Sequence, residues 1–252
     1  MKTRAILRVL PFVIVAALAA TSCGSSSDDE SAGTDTPSES TATDTDQETA
    51  DESESEPMLE GELIGLFSID PTACSDADVT GSYFRMIQPE GSLDTGPFVP
   101  NADSACADSS YSALSPGSDG GLLTGTQQLP PDVAFDDAGN GVASGLVEPV
   151  KFFGVDFALA IDGEAAVPTV TAVGDELSGD LSAWTAYYAN LVFNQGAPKP
   201  DGTMPGLTSD VTGTIDPETG AYMLEWSSEI VGGSFNEFTG VWHLEGTFTL
   251  AG

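Results

Sequence analysis

The sequence predicts an all-β protein, an antiparallel β-sandwich or open barrel, formed by a single domain over residues 58–252. Three observations support this prediction. Short runs rich in branched and aromatic residues recur along this part of the chain, clusters of Gly, Pro, Asn and Asp separate the runs, and apolar residues alternate with polar ones in the last run. A length of roughly 200 residues is one that single all-β domains commonly reach.

The predicted strands are taken in chain order from these runs. They lie at 59–67, 79–87, 142–161, 167–173, 176–183, 211–215, 221–230 and 241–250. The run 142–161 is long enough for two strands, and Gly154 marks the expected break between them.

A hairpin is predicted around Asp216 and Gly220. The apolar run before Asp216 and the run after Gly220 are joined by Asp-Pro-Glu-Thr-Gly, and these residue types suit a short turn that ends in a left-handed residue. In the last run, Trp242 and Leu244 alternate with His243 and Glu245, so one face of this strand should be apolar and the other wet.

Two segments are less regular. Residues 181–193 fit a helical stripe through Leu181, Trp184 and Tyr188 and also fit strand alternation, and we interpret the segment as strand. Residues 88–120 are dense in Pro, Gly, Ser and Asp and contain Cys106, so we expect an irregular excursion from the sheet.

The chain begins with the layout of a secretory signal. Lys2, Arg4 and Arg8 precede an apolar run over 9–20 that is too short to remain as a membrane span. The junction Ala20-Thr21-Ser22-Cys23 resembles the bacterial lipobox, although Ala20 and Ser22 depart from the usual Leu and the usual Ala or Gly. This resemblance implies a signal peptide over 1–22 and a lipid anchor on Cys23, with free secretion as the alternative.

Residues 23–57 are predicted to form a disordered tether. From position 24 this segment contains twelve acidic residues and no aromatic or branched aliphatic residue, so it cannot bury a core and should repel itself into an extended chain. Its random-coil span would be roughly 30 to 35 Å.

Three cysteines occur in the sequence, and an anchor on Cys23 leaves one pair. In an exported protein we interpret Cys74 and Cys106 as a disulfide. Two buried free thiols are the alternative. A disulfide closing a loop of about 30 residues would add roughly 3 to 4 kcal/mol on the chain-entropy model.

The formal net charge of −34 restricts the partners. Beyond the signal segment only Arg85, Lys151 and Lys199 are basic, so the surface cannot neutralise the phosphates of a nucleic acid. The expected membrane contact is therefore the covalent lipid on Cys23, because anionic headgroups would repel the domain.

A catalytic histidine is not expected. His243 is the single histidine, and strand alternation places it on the wet face beside Glu245. Gly232-Gly233-Ser234-Phe235-Asn236 fails the Gly-x-Ser-x-Gly pattern of a serine nucleophile at its last position. We interpret His243 as a hydrogen-bonded surface residue, and zinc sites with several His or Cys ligands are excluded by the same count.

Acidic residues are too abundant to specify a reaction. Glu225, Glu229, Glu237 and Glu245 are interpreted as a solvated face, with a carboxylate pair as the alternative. For calcium, the segment 136–141 is the best oxygen-rich turn, and Asp76 with Asp78 is the second. Neither has EF-hand spacing, so we expect plain turns and no metal or cofactor.

Aromatic side chains offer a possible glycan platform if one edge exposes them together. The candidates are Trp184, Tyr187, Tyr188, Trp226 and Trp242. Core packing is the default for tryptophan, and alternation places Trp226 and Trp242 in the core.

The stretch 211–246 resembles a run found in uncharacterised secreted bacterial proteins, which implies a shared β scaffold and no established activity. The function we expect is a membrane-anchored, non-catalytic module on the extracytoplasmic face, at the cell surface or in the periplasm. It would bind a glycan, an envelope protein or another extracellular ligand. The alternatives are a carboxylate-dependent envelope hydrolase, with or without calcium, and a purely structural envelope protein.

Overall fold

The computed structural model describes residues 59–75, 78–162 and 165–251, and over these ranges the chain is all-β, which confirms the predicted fold class. The signal segment, Cys23 and the tether lie outside the described residues. Within the ranges given, no helix has the length and apolar character needed to cross a bilayer.

The strands and one 3₁₀ turn alternate with loops along the described residues. In chain order they are β1 Leu59–Glu62, β2 Gly65–Ser68, β3 Ala73–Cys74, β4 Val79–Thr80, β5 Tyr83–Ser92, β6 Gly96–Phe98, β7 Ser112–Ala113, β8 Gly121–Leu123, β9 Val150–Phe152, β10 Val155–Ile161, β11 Thr169–Gly174, β12 Glu176–Asp180, β13 Trp184–Tyr188, β14 Leu191–Asn194, β15 Val211–Ile215, β16 Ala221–Glu229, the 3₁₀ turn Gly233–Phe235 and β17 Thr239–Leu250.

The largest sheet is antiparallel and curls into a half-barrel. Its strand order is β1-β11-β12-β15-β16-β17-β2-β8, and β5, with β6 and β7 beside it, also pairs with β17. β17 is the junction of the sheet: it pairs with β16 over most of its length, while its first part pairs with β5 and its last part with β2.

A second antiparallel sheet has the order β14-β13-β10-β9, and β3 with β4 forms a small third sheet. The turns of the second sheet are tight, since two residues join β9 to β10 and two join β13 to β14. The interpretation of residues 181–193 as strand is therefore confirmed, and the helical alternative is wrong. β13 and β14 are the two arms of one hairpin.

Tryptophan side chains pack the core between the two larger sheets. Trp226 on β16 and Trp242 on β17 are cross-strand neighbours, and Trp184 on β13 reaches them from the second sheet. The ring centroids of Trp184 lie 5.0 Å from Trp226 and 5.5 Å from Trp242, and all three side chains are at most 2% exposed. Aromatic edge-to-face contacts of this kind add to the burial of apolar area.

The predicted hairpin around Asp216 is confirmed, because β15 pairs antiparallel with β16. Asp216 accepts hydrogen bonds from the backbone N–H groups of Glu218 and Thr219, and Gly220 has a φ of 74°. The turn residues therefore do what their types favour.

Some predicted strands are broken in the structure. The run 59–67 divides into β1 and β2, which pair with different strands, and the buried Leu63 lies between them. The run 79–87 is interrupted at Gly81, whose φ of 76° lies in the left-handed region. Residues 142–149 form no strand; Gly141 and Val147 make isolated bridges instead.

The excursion over 88–120 is largely irregular, with the end of β5, β6 and β7 as its only strands. Cys74 and Cys106 form the predicted disulfide, with their Cα atoms 5.2 Å apart. Arg85 adds a second tie, because its guanidinium donates to the Ser110 hydroxyl and lies over the rings of Phe98 and Tyr111. The disulfide ties the excursion to β3, and Arg85 ties it to β5.

Candidate functional site

An aromatic cleft opens to solvent between the half-barrel and the second sheet. Side chains from both sheets and from the connection between β16 and β17 converge on it. The lining consists of Phe84, Met86, Phe152, Phe157, Ala186, Tyr188, Phe193, Gln195, Ile230, Phe235 and Trp242. The lining contains no carboxylate and no cation, so the cleft offers almost entirely apolar contact.

The cleft is narrow. Its volume is about 40 Å³, well below that of an apolar cavity of about 150 Å³ that binds benzene. A space of this size has room for the end of a slender apolar chain.

Gln195 is the one amide in the lining, and the core already uses it. Its backbone carbonyl accepts a hydrogen bond from Trp226 Nε1 at 3.0 Å, and its Oε1 accepts one from Trp242 Nε1 at 3.4 Å. These contacts fix the two indoles and leave the cleft wall apolar.

Exposed apolar side chains adjoin the lining, and we call Phe153, Leu191 and Val231 the apolar rim. Phe153 follows the lining residue Phe152, Val231 follows Ile230, and Leu191 lies two residues before Phe193 on β14. Their exposed fractions are 47%, 46% and 65%. Apolar side chains clustered around an apolar opening are typical of binding surfaces.

Phe153 is exposed in a backbone conformation that favours other residues. It forms the β9–β10 turn with Gly154, and the φ angles are 49° and 79°. Turns with two left-handed residues favour Asn-Gly, and a non-glycine residue held there costs of order 1 kcal/mol. The turn conformation disfavours phenylalanine, so backbone preference does not explain why an exposed aromatic ring lies at this hairpin tip.

The 3₁₀ turn carries Phe235 over the same opening. The Phe235 ring lies 5.9 Å from that of Phe152 and 6.0 Å from that of Phe153. Gly233, with a φ of 66°, passes so close to the rings and methyl groups of Phe193 and Leu191 that a Cβ would sit 2.9 Å from Phe193. The glycine therefore allows the turn to pack onto β14.

His243 lies on the opposite, outer face of the half-barrel, as alternation predicted, but it is covered rather than on the surface. The Tyr83 ring stacks on the imidazole at 4.5 Å, and the residue is only 9% exposed. Nδ1 lies 2.7 Å from Glu225 Oε1 and Nε2 lies 2.9 Å from Glu245 Oε1, both at hydrogen-bonding distance. Both nitrogens are occupied, and no cleft opens at them among the described pockets.

The electrostatics of this cluster follow from its geometry. Burial alone would lower the pKa of His243, but the hydrogen bonds and charges of Glu225 and Glu245 outweigh burial and raise it. The hydrogen bond from His243 lowers the pKa of Glu225. Burial raises the pKa of Tyr83 to about 12. The two carboxylates thus favour the protonated imidazole, and a ring with both nitrogens engaged is poorly placed to act as a general base.

Lys199 is a buried lysine to which the sequence pattern assigns no role. Lys199 Nζ donates to the carbonyls of Asn194 and Glu229 and to the Ser228 hydroxyl, and burial lowers the Lys199 pKa to about 8. Ser228 is fully buried and donates to the Gly196 carbonyl. The pair has a nucleophile-and-base composition, but a substrate cannot reach the hydroxyl, so it stabilises the loop after β14.

The glycan platform does not form. Trp184, Trp226, Trp242 and Tyr187 are buried, and Tyr188 is half-buried with its hydroxyl donating to the Phe152 carbonyl. Of these five aromatic residues, only Tyr188 and Trp242 line the aromatic cleft.

The oxygen-rich turn over 136–141 is closed by its own N–H groups. The Asp136 carboxylate accepts from the backbone N–H groups of Ala138 and Asn140 and from Asn140 Nδ2. Asp76 lies outside the described residues, and Asp78 is exposed. Among the residues described, no cluster of three or more His, Cys, Asp and Glu has the arrangement of a metal site.

The four glutamates of the C-terminal part do not share one solvated face. Glu225 and Glu245 bracket His243, Glu229 is half-buried, and Glu237 lies in the connection after the 3₁₀ turn. The carboxyl groups of the described chain whose pKa values depart from the ordinary range all depart downwards; they are Asp108, Asp136, Asp201, Asp216 and Glu225.

Two weak signals in the sequence point to the aromatic cleft. Phe153-Gly154 is an aromatic in a two-residue turn, and Phe235 lies in a Gly-rich loop between two strong strands.

Comparison of the chain with protein-family models, with curated proteins and with solved structures finds no match.

Proposed function

We propose that the protein is a lipid-anchored, non-catalytic binding module of the extracytoplasmic face, and that its aromatic cleft receives a linear acyl or alkyl chain of an extracellular ligand. The observation that carries the proposal is the combination of a narrow apolar cleft with an apolar rim whose Phe153 is held in an unfavourable turn conformation.

The size and charge of the site support a neutral chain as the occupant. A volume of about 40 Å³ suits the end of an unbranched chain, and the rim would cover the methylenes that follow, each worth about 0.8 kcal/mol when buried. A net charge of −34 repels anionic amphiphiles. A neutral acyl ligand fits best.

A carboxylate-dependent hydrolase has less support. Hydrolysis of a glycoside requires a protonated carboxyl group in a cleft, and the lining of the aromatic cleft contains no carboxyl group. Glu225 is the carboxylate nearest to His243, and its pKa is lowered.

The anchor has its own test. Mass spectrometry of the mature protein should find Cys23 as the first residue, modified by diacylglycerol, and Cys23→Ser should abolish labelling by palmitate. An unmodified thiol at position 23, or cleavage beyond it, would contradict the anchor.

Binding is tested with monoacylglycerols brominated near the terminal methyl group. Bromine in the cleft should quench tryptophan fluorescence, because Trp242 forms part of the lining. Phe153→Asn should keep the fold, since Asn suits the turn, and should weaken binding about tenfold through lost apolar contact. Val173→Asn, at a 62% exposed valine on β11, should leave binding unchanged.

The source of the chain is resolved by repeating the titration with Cys23→Ser. Tighter binding by this variant assigns the cleft to the acyl chain of the protein's own anchor, and equal binding assigns it to a separate ligand. Equal quenching by wild type and Phe153→Asn, or no quenching at all, would refute the acyl site.

A further inference from the structure

A second cleft, separate from the aromatic one, lies between the loops of residues 117–146 and β10. Its volume is about 340 Å³, within the range of small-molecule sites. We call it the second cleft and define it by Asp119, Gln128, Leu129, Pro131, Val142 and Leu159. Its wall is polar on one side and apolar on the other.

Hydrogen bonds fix the polar side in advance of any ligand. Gln128 is 8% exposed, its Oε1 accepts from the Leu123 N–H, and its Nε2 donates to the Gly121 carbonyl and to Asp119 Oδ2 at 3.0 Å. The backbone N–H of Asp119 donates to the Gly145 carbonyl at 2.8 Å. The carboxylate is therefore held in one place, as a preorganised site requires.

Asp119 lacks a cationic partner within the described chain. Its side chain is contacted by the Gln128 amide and, at 3.5 Å, by the Ser118 hydroxyl, and no described Lys, Arg or His forms an ion pair with it. The lining of the second cleft contains no basic residue. A carboxylate accepts hydrogen bonds, and the exposed side chain of Asp119 is open to a donor from a ligand.

The apolar side faces solvent. Leu129 is 61% exposed and Val142 is 37% exposed, and Pro131 and Leu159 lie beside them in the lining. A hydrocarbon body placed against these residues would remove apolar surface from water on both partners.

We infer that the second cleft is a binding site for a small amphipathic amine, whose ammonium group pairs with Asp119 and whose hydrocarbon body covers Leu129, Pro131 and Val142. The negative field of the whole chain favours a cation over a neutral or anionic ligand at this carboxylate. The inference does not depend on the aromatic cleft.

The test compares phenethylamine and hexylamine with their neutral counterparts, phenethyl alcohol and hexanol, by calorimetric titration of the mature protein. The amines should bind more tightly than the alcohols. Asp119→Asn, which keeps an acceptor for Gln128, should weaken amine binding about tenfold or more, the effect of losing one charge-assisted hydrogen bond, and should leave the alcohols unchanged.

Two further variants separate the site from general charge attraction. Asp132→Asn removes an exposed carboxylate from the same segment outside the lining and should leave amine binding unchanged. Leu129→Ser should weaken amines and alcohols alike. Equal affinity for amine and alcohol, or equal effects of Asp119→Asn and Asp132→Asn, would overturn the inference.

Discussion

The imidazole of His243 lies between two carboxylates on the outer face of the half-barrel. Glu225 comes from the neighbouring strand and Glu245 from the same strand, two residues on. Glu245 also accepts a hydrogen bond from the Gly81 N–H through Oε2. The His243 imidazole and its two glutamates therefore link β16, β17 and the turn before β5. The protonation of this group should influence stability.

The pH dependence of this link has two limits. The pKa of His243 is raised above 6.5, so its contribution is complete below that value and is lost as the pH rises through the folded pKa. The pKa of Glu225 is lowered below 4.5, so its contribution is complete above that value and is lost as the pH falls through the folded pKa. Both contribute fully between pH 4.5 and 6.5.

Glu225→Gln should therefore lower the free energy of unfolding by about 1 kcal/mol near pH 5.5 and by progressively less in alkaline solution. Urea unfolding at several pH values measures the difference from wild type. Glu218→Gln, in the exposed turn between β15 and β16, serves as the control with the same loss of charge. A difference that stays constant into alkaline solution would contradict this account.

Two hairpin turns of the second sheet share one backbone geometry. The β9–β10 turn has Phe153 and Gly154 at positive φ, and the β13–β14 turn has Ala189 and Asn190 at 52° and 60°. Only the first turn contributes one of its two residues, Phe153, to the apolar rim. The second carries the same strain without an aromatic ring, which makes it a test of the turn alone.

Ala189→Gly should raise the free energy of unfolding by about 0.5 to 1 kcal/mol, because glycine adopts positive φ without steric cost. Thermal and urea unfolding measure the gain. The same substitution at Ala221, an exposed strand residue of β16, should lower stability, because glycine weakens a strand. Effects of equal sign at the two positions would refute the strain assigned to the turn.

Local chemistry allowed some elements to be predicted and not others. Asp216, Pro217 and Gly220 specify a turn by residue type, so the β15–β16 hairpin was predicted with its partners. The division of 59–67 could not be predicted, since β1 pairs with β11 and β2 with β17, and distant partners decide where such a run breaks. The same limit applies to 142–149.

The candidate sites are long-range products of the fold. Phe84, Phe152, Phe193 and Phe235 are far apart in sequence, and each reads as an ordinary core residue until the two sheets meet. Asp119 is one of forty acidic residues, and only its place in a cleft distinguishes it. Strand alternation did predict that Trp226 and Trp242 are buried, and the cysteine count predicted the disulfide.

At the scale of the whole molecule, the Cys74–Cys106 disulfide spans a sequence separation of 32 residues. Replacing both cysteines by alanine should lower the free energy of unfolding by about 3 to 4 kcal/mol, the chain-entropy value for such a loop. Urea unfolding with and without dithiothreitol measures it. Reductant should destabilise wild type and leave the double variant unchanged; a wild type indifferent to reductant would contradict the prediction.

The forked pairing of β17 bears on how the polypeptide is made. Strands β2, β5 and β16 all await residues 239–250 before the half-barrel can close, and β17 is the last of these strands to leave the ribosome. Until then their backbone amides and apolar faces have no final partner. The half-barrel of such a chain therefore cannot close before residues 239–250 have been synthesised, whatever the order in which its other hairpins form.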